Sequence, residues 1–199
     1  MSNYSQIDLL NESRFINKTG KRIQEVIFEC ICLREAMMDP LNESQIANEQ
    51  ESIDVLKQID NLDFVVNDYE SFCNELLYNK RASFLTYYTP EQLKEYNVKT
   101  YQVEGYPIGF ALKPDPIDGL IDIIGVHNNS NIRNIGKALI RAAKKLGGNK
   151  LDHFDGYLSD FYQGLGFNEY ERYKWDNRYA PKEWNADAYG YPDVIMRRT

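Results

Sequence analysis

The stretch IIGVHNNSNIRNIGKALIRAAKKLGG, residues 123–148, constrains the fold more than any other part of this 199-residue chain. An apolar, β-branched run closes at Val126 and His127, a short polar loop follows, and an amphipathic stretch opens at Arg133 and runs to Leu146. The Gly147-Gly148 pair then ends the helix, and KLDHF reads as the next strand. Strand, helix and strand at this spacing predict a right-handed parallel β-α-β crossover. A helix that opens with Gly136 and Ala138 straight after a strand aims uncapped backbone N–H groups and the positive end of its dipole at one point. That arrangement favours an anion, and Gly136 lets a phosphate approach the backbone. Arg133 adds a charge-assisted donor.

The flanking sequence extends the same sheet. TPEQLKEY predicts a helix with Thr89 as N-cap, Pro90 in the first position and Gln92 completing a capping box. SFLTYY, KTYQVE, PIGFALK and LIDIIGVH read as strands, LSDFYQGLG as a helix, and FNEYERYKW and PDVIMRR as further strands. The fold class is therefore α/β, with a mixed central sheet over residues 81–199 and a helical N-terminal region over 1–80. GKRIQEVIFECICLREAMMD and the acidic run from Gln45 to Tyr78 carry apolar residues at helical spacing, with a break near Asn61 or Asn67. That region reads either as a bundle packed on its neighbour or as a homodimerisation surface.

Composition excludes several classes of function. A net charge of −7 argues against a nucleic-acid partner, because affinity for phosphate backbones comes from clustered Lys and Arg. No run of about 18 apolar residues is present to span a membrane, and the first residues lack the basic start and apolar stretch of a leader. Three cysteines fit a reducing, cytoplasmic compartment. Cys30 and Cys32 have no neighbouring ligands and read as packing residues, so no metal site is expected.

Arg133-x-x-Gly136-x-Ala138 after a strand resembles the pyrophosphate-binding motif of the GCN5-related N-acetyltransferase (GNAT) superfamily. FYQGLGF, with Phe161, Tyr162, Gly166 and Phe167, resembles that superfamily's second signature, and the two occur in the right order around KLDHF. The resemblance covers roughly Phe84 to Thr199. The C-terminal stretch is also similar to a group of acetyltransferase-like proteins of bacteriophages and prophages. The resemblance implies acetyl-coenzyme A as cofactor, lying in the splay between LIDIIGVH and KLDHF. Its pyrophosphate would rest on the amides around Asn134, Ile135, Gly136, Lys137 and Ala138, with Val126 beside it. It further implies direct transfer of the acetyl group to the amine of a small molecule or protein, with Tyr162 as the acid that protonates the departing thiolate.

The position seven residues before that tyrosine, an Asn in the family, is Asp155 here. The departure puts cofactor binding in question, and a catalytically inactive protein of the same fold that binds a partner is the competing reading. For the base, the resemblance points to Asp122, while His127 offers a group that titrates near neutrality. Strand alternation puts Asp122, Ile124 and Val126 on one face and Ile123, Gly125 and His127 on the other unless a bulge intervenes. The aromatic-rich segment from Trp175 to Tyr191 reads as a loop that either covers the acceptor or is pinned to the sheet by its own rings.

Overall fold

The structure is a computed structural model that describes residues 43–181 and 184–199. Residues 50–199 form one compact unit, and the chain before Gln50 belongs to a second. Cys30, Cys32 and the GKRIQEVIFECICLREAMMD helix lie outside the described residues.

Helix α1 (Glu43–Asn61) buries Val55 and Ile59, one turn apart, and ends at Leu62, which adopts a left-handed φ of 62°. Phe64–Val65 then forms a short strand, β1, that pairs with Val103 and Gln102 of β2 (Lys99–Val103). The chain turns back into a helix at Asp68, whose carboxylate accepts from the Ser71 amide and caps α2 (Tyr69–Leu77). Helix α3 (Pro90–Glu95) starts with the expected capping box between Thr89 and Gln92. Strands β3 (Ile108–Pro114), β4 (Ile121–Asn128), β5 (Lys150–Phe154), β6 (Asn168–Tyr173) and β7 (Val194–Arg198) complete a seven-stranded sheet of order β1-β2-β3-β4-β5-β7-β6. Helices α4 (Gly136–Lys145) and α5 (Tyr157–Gln163) flank β5 in sequence, and a short α6 (Ala186–Tyr189) lies between β6 and β7.

The α/β class and the mixed sheet match the sequence expectation. Three details differ. SFLTYY makes no strand: Ala82–Phe84 is a 3-10 turn, and the following residues extend without pairing. The long helix begins at Gly136 rather than Arg133, because Asn134 takes a left-handed φ of 62° that no helix continues through. Finally, the segment from Gln50 to Lys80 belongs to the unit that holds the sheet rather than to a separate helical region ending at residue 80. Its β1 contributes a strand, and Phe72, Cys73 and Leu76 of α2 pack with Leu93, Val98 and Ala111.

Two cores result, one on each face of the sheet. Leu139, Ile140, Ala142 and Ala143 of α4 pack against Ile123, Leu112, Leu151 and Phe167. On the other face, α2 and α3 pack against Ala111 and Ile124. The Gly147-Gly148 pair does end α4: Gly147 has φ 105°, its amide bonds the Lys144 carbonyl, and the Gly148 amide bonds that of Ala143.

Candidate active site

Strands β4 and β5 are parallel, and they are in register only where Asp122 stands opposite Lys150. Beyond that pair no residues of the two strands stand in register, which leaves an opening between them toward their C-terminal ends. Antiparallel neighbours lock each of them from outside: β3 on one side and β7 on the other.

The exit of β4 leads to α4 through a loop fixed by its own polar side chains. Asn128 Nδ2 donates to the Ile132 carbonyl at 2.6 Å, and Asn128 Oδ1 accepts from the Ser130 amide and hydroxyl. Ile132 and Ile135 are buried and anchor the loop from below. The N-cap residue of α4, Ile135, provides no side-chain hydrogen bond to the first turn. Among the described residues the amides of Gly136, Lys137 and Ala138 thus receive no bond from the N-cap side chain, in a ten-residue helix. Arg133, Asn134 and Lys137 are exposed around them, and Val126 is half-buried. A methyl group built on Gly136 would meet only Phe161 Cζ, at 3.6 Å, an ordinary contact. Nothing in the fold therefore demands glycine there, and what the glycine preserves is the open space in front of the helix.

A bulge interrupts β4 as it leaves the register. Gly109 pairs with His127 and Ala111 with Ile124, so Gly125 and Val126 together face the single residue Phe110. Gly125 has φ 57°, and a Cβ there would lie 2.6 Å from Phe72 Cζ, so both backbone and packing require glycine. The bulge overturns the simple alternation. His127 turns to the α2 face, edge-on to Phe72 at 5.6 Å, the face that Ile124 shares, and Val126 packs with Ile123 on the α4 face.

Sharing a face does not bring His127 and Asp122 together, since their partners on β3, Gly109 and Lys113, are four residues apart, a span of roughly 13 Å. Asp122 sits at the closed end of the strand pair, 2.9 Å from Lys113 Nζ and 3.8 Å from Lys150 Nζ. It holds the start of the sheet together and stands apart from the Arg133–Ala138 loop. His127 is buried; Nδ1 lies 2.9 Å from the Gly125 carbonyl oxygen and Nε2 has no hydrogen-bond partner. Burial lowers its pKa, which favours the neutral imidazole. His153, on β5, is likewise engaged: Nδ1 lies 2.7 Å from the Phe154 carbonyl oxygen and Nε2 accepts from Arg197 Nε at 2.9 Å.

Tyr162 stands on α5, its ring 5.2 Å from that of His153 and edge-on to those of Phe161 and Phe167. Burial, reinforced by the negative charge of Asp152, pushes its hydroxyl up to about 12, so it holds its proton at neutral pH.

Asp155 does not face the opening with a free carboxylate. One oxygen accepts from the Gly156 amide and the Ser159 hydroxyl, and the other meets Arg172 Nη1 at 2.7 Å. The Arg172 bond and the Ser159 bond bring it down to about 2. Its work is to start α5 and tie it to β6.

Asp152, which sequence reasoning passed over, is the carboxylate that does stand at the opening. Leu151 and His153 face α4 and α5, so alternation turns Asp152 to the opposite face together with Lys150 and Phe154. It lies two residues beyond the last in-register pair, remains exposed, and has no ion pair among the described residues. The signal was present in KLDHF: an acid flanked by apolar residues in a predicted central strand, alternating with them.

The loop from Trp175 to Tyr191 is pinned by its rings. Trp184 packs 4.8 Å from Phe154 and 5.0 Å from Trp175, and Phe84 meets both Trp184 and Tyr189. Both indole N–H groups are satisfied, by Asn177 and by the Gly190 carbonyl. This aromatic wall borders the Asp152 side of β5.

No protein-family model matches the chain, and no curated protein does. Among solved structures it is similar to a Bacillus subtilis acetyltransferase in complex with CoA, at 14% identity, over 67% of this chain and 93% of that one, with a TM-score of 0.44. It is also similar to a GNAT family acetyltransferase from Elizabethkingia anophelis with acetyl-CoA bound (21% identity, 54% of this chain and 80% of that one, TM-score 0.36). A third is N-acetylglutamate synthase from Neisseria gonorrhoeae complexed with coenzyme A and N-acetyl-glutamate, at 16% identity and a TM-score of 0.40. The match covers 68% of this chain but spans only 34% of that enzyme. Likenesses this distant carry no functional weight, so function rests on the geometry described above.

Proposed function

We propose that this chain is an acetyl-coenzyme A-dependent N-acetyltransferase of the GNAT kind, acting on the primary amine of a small molecule or protein. The observation that carries this reading is the amino end of α4, without a side-chain cap from Ile135 and with Gly136 at its first turn, following β4, which stands in register with the parallel β5 only at Asp122 and Lys150. Acetyl-coenzyme A supplies an activated acetyl thioester. The amides of Gly136, Lys137 and Ala138, with Arg133, Asn134 and Ile135, hold its diphosphate, and the edge of β4 at Val126 lines its arm. Tyr162 holds a proton at Oη for a departing thiolate. Cys73 argues against an acyl-enzyme, since it is buried, donates to the Tyr88 carbonyl, and has its thiol pKa raised by burial. In this reading the acceptor amine attacks the thioester directly. An overall charge of −7 suits a cationic acceptor.

Thermal unfolding with and without acetyl-coenzyme A tests the binding step. At 100 times the dissociation constant the ligand stabilises by about 2.7 kcal/mol, which is roughly 5–10 °C for a chain of this size. Gly136→Glu is expected to abolish the shift without lowering the unliganded Tm by more than a few degrees. A wild type with no shift at millimolar ligand overturns the proposal. A screen of primary amines for thiol release then identifies the acceptor.

A further inference from the structure

We propose that Asp152 is the position that receives the acceptor's ammonium group and removes its proton, at the apex of the opening between β4 and β5. This rests on the acetyltransferase reading of the same site. The expected candidates, Asp122 and His127, are excluded by what they touch: Asp122 is tied to Lys113 and Lys150, and His127 is sealed against Phe72. Asp152 differs on both counts, being exposed and without an ion-pair partner among the described residues. It stands where the strands have just parted, so a group lying in the opening meets it.

Its surroundings suit the task. Asp122, Lys113 and Lys150 face it from β4, β3 and its own strand, Tyr88 from the segment before α3, and Tyr162 from α5 across the opening. Asp122 is held by Lys113 and Lys150, so it is not itself free to bind a cation. Protein packed around Asp152, and then the Asp122 charge, raise its pKa, which makes the carboxylate a better base than an ordinary surface aspartate. On the same face, two residues along, Phe154 and the Trp175–Trp184 wall supply ring edges and faces beside the ammonium's carbon chain.

The step itself is a proton transfer. An N–H bond of the ammonium breaks, its electron pair stays on nitrogen, and an O–H bond forms at Asp152 Oδ; solvent later recovers the proton. The neutral amine left behind is the nucleophile. Tyr162, on the far side of the opening, holds the second proton, so acid and base face each other across the reacting centre.

The test uses the full chain and its Asp152→Asn and Asp152→Glu variants. Carbon-13 NMR of aspartate-labelled protein, with the Asp152 resonance identified by its loss in Asp152→Asn, is expected to show titration above the ordinary aspartate range. The thermal shift with coenzyme A is expected to survive in Asp152→Asn. With an amine from the acceptor screen, kcat/KM is expected to fall about 100-fold or more, with partial rescue in Asp152→Glu. The wild-type kcat/KM should rise with pH through the NMR midpoint, and the Asp152→Asn profile should lose that limb. Retained coenzyme A binding with less than threefold loss of kcat/KM overturns the assignment, and so does an Asp152 resonance titrating in the ordinary range. Absence of a coenzyme A shift in the wild type is the different failure, that of the acetyltransferase reading itself.

Discussion

At Gly136 an added methyl group would touch only Phe161, so Gly136→Ala is expected to fold as well as the wild type, while weakening coenzyme A by crowding the helix end. Comparing Tm with and without coenzyme A separates the two effects; equal ligand shifts in both proteins would mean that the loop does not hold the diphosphate. Asp155 makes the opposite prediction. Its carboxylate serves Gly156, Ser159 and Arg172, so Asp155→Ala is expected to lose on the order of 1 kcal/mol, since the ion pair is partly exposed. The folded-state pKa is lowered to about 2, so this stabilisation is present above the ordinary aspartate range and is lost as pH falls toward 2. Denaturant midpoints of wild type and variant should therefore converge in acid, while coenzyme A binding at neutral pH is unchanged.

At the scale of elements, the bulge in β4 decides which groups can take part in the chemistry. Gly125→Ala forces a methyl group to within 2.6 Å of Phe72 Cζ at a residue with positive φ. A loss of about 2–4 kcal/mol is expected, read as a lower urea midpoint at unchanged m-value. A loss below about 0.5 kcal/mol would mean that the bulge relaxes freely. Element identity was legible where local rules act alone. Thr89, Pro90 and Gln92 announce α3, and Gly147-Gly148 announces the end of α4, because capping involves residues three to five apart. SFLTYY reads as a strand by composition and forms none, because a strand needs a neighbour and composition does not supply one. The α4 boundary shifted from Arg133 to Gly136 because one left-handed residue, Asn134, ended the loop later than periodicity suggests.

Across the whole molecule, two neutral histidines are built into the cores. Burial lowers the pKa of both His127 and His153, so protonation favours the unfolded chain. Stability contributed by their neutral state is present above pH ~6.5 and is lost as pH falls through the lowered folded-state values. Tm is expected to decline below pH ~6, and His127→Leu, which also removes the unpartnered Nε2, should flatten that decline. A decline of the same size in the variant would assign the acid sensitivity elsewhere. Asp152 runs the other way. Its raised pKa makes its ionised form costly, so stability falls as pH rises through its titration, and Asp152→Asn is expected to be the more thermostable protein at pH 7.

The sequence alone determined the α/β class, the β-α-β unit and the helix caps. These follow from periodicity and from glycine, proline and side-chain oxygens acting over a few residues. The tertiary structure decided the rest. Whether a carboxylate is free or occupied depends on residues far apart in sequence: Lys113 and Lys150 for Asp122, Arg172 for Asp155, and no ion-pair partner among the described residues for Asp152. The insertion of β7 between β5 and β6 likewise pairs strands that are not neighbours in the chain. Local pattern carries the elements, but the charge state and accessibility of a group are set by what the fold packs against it.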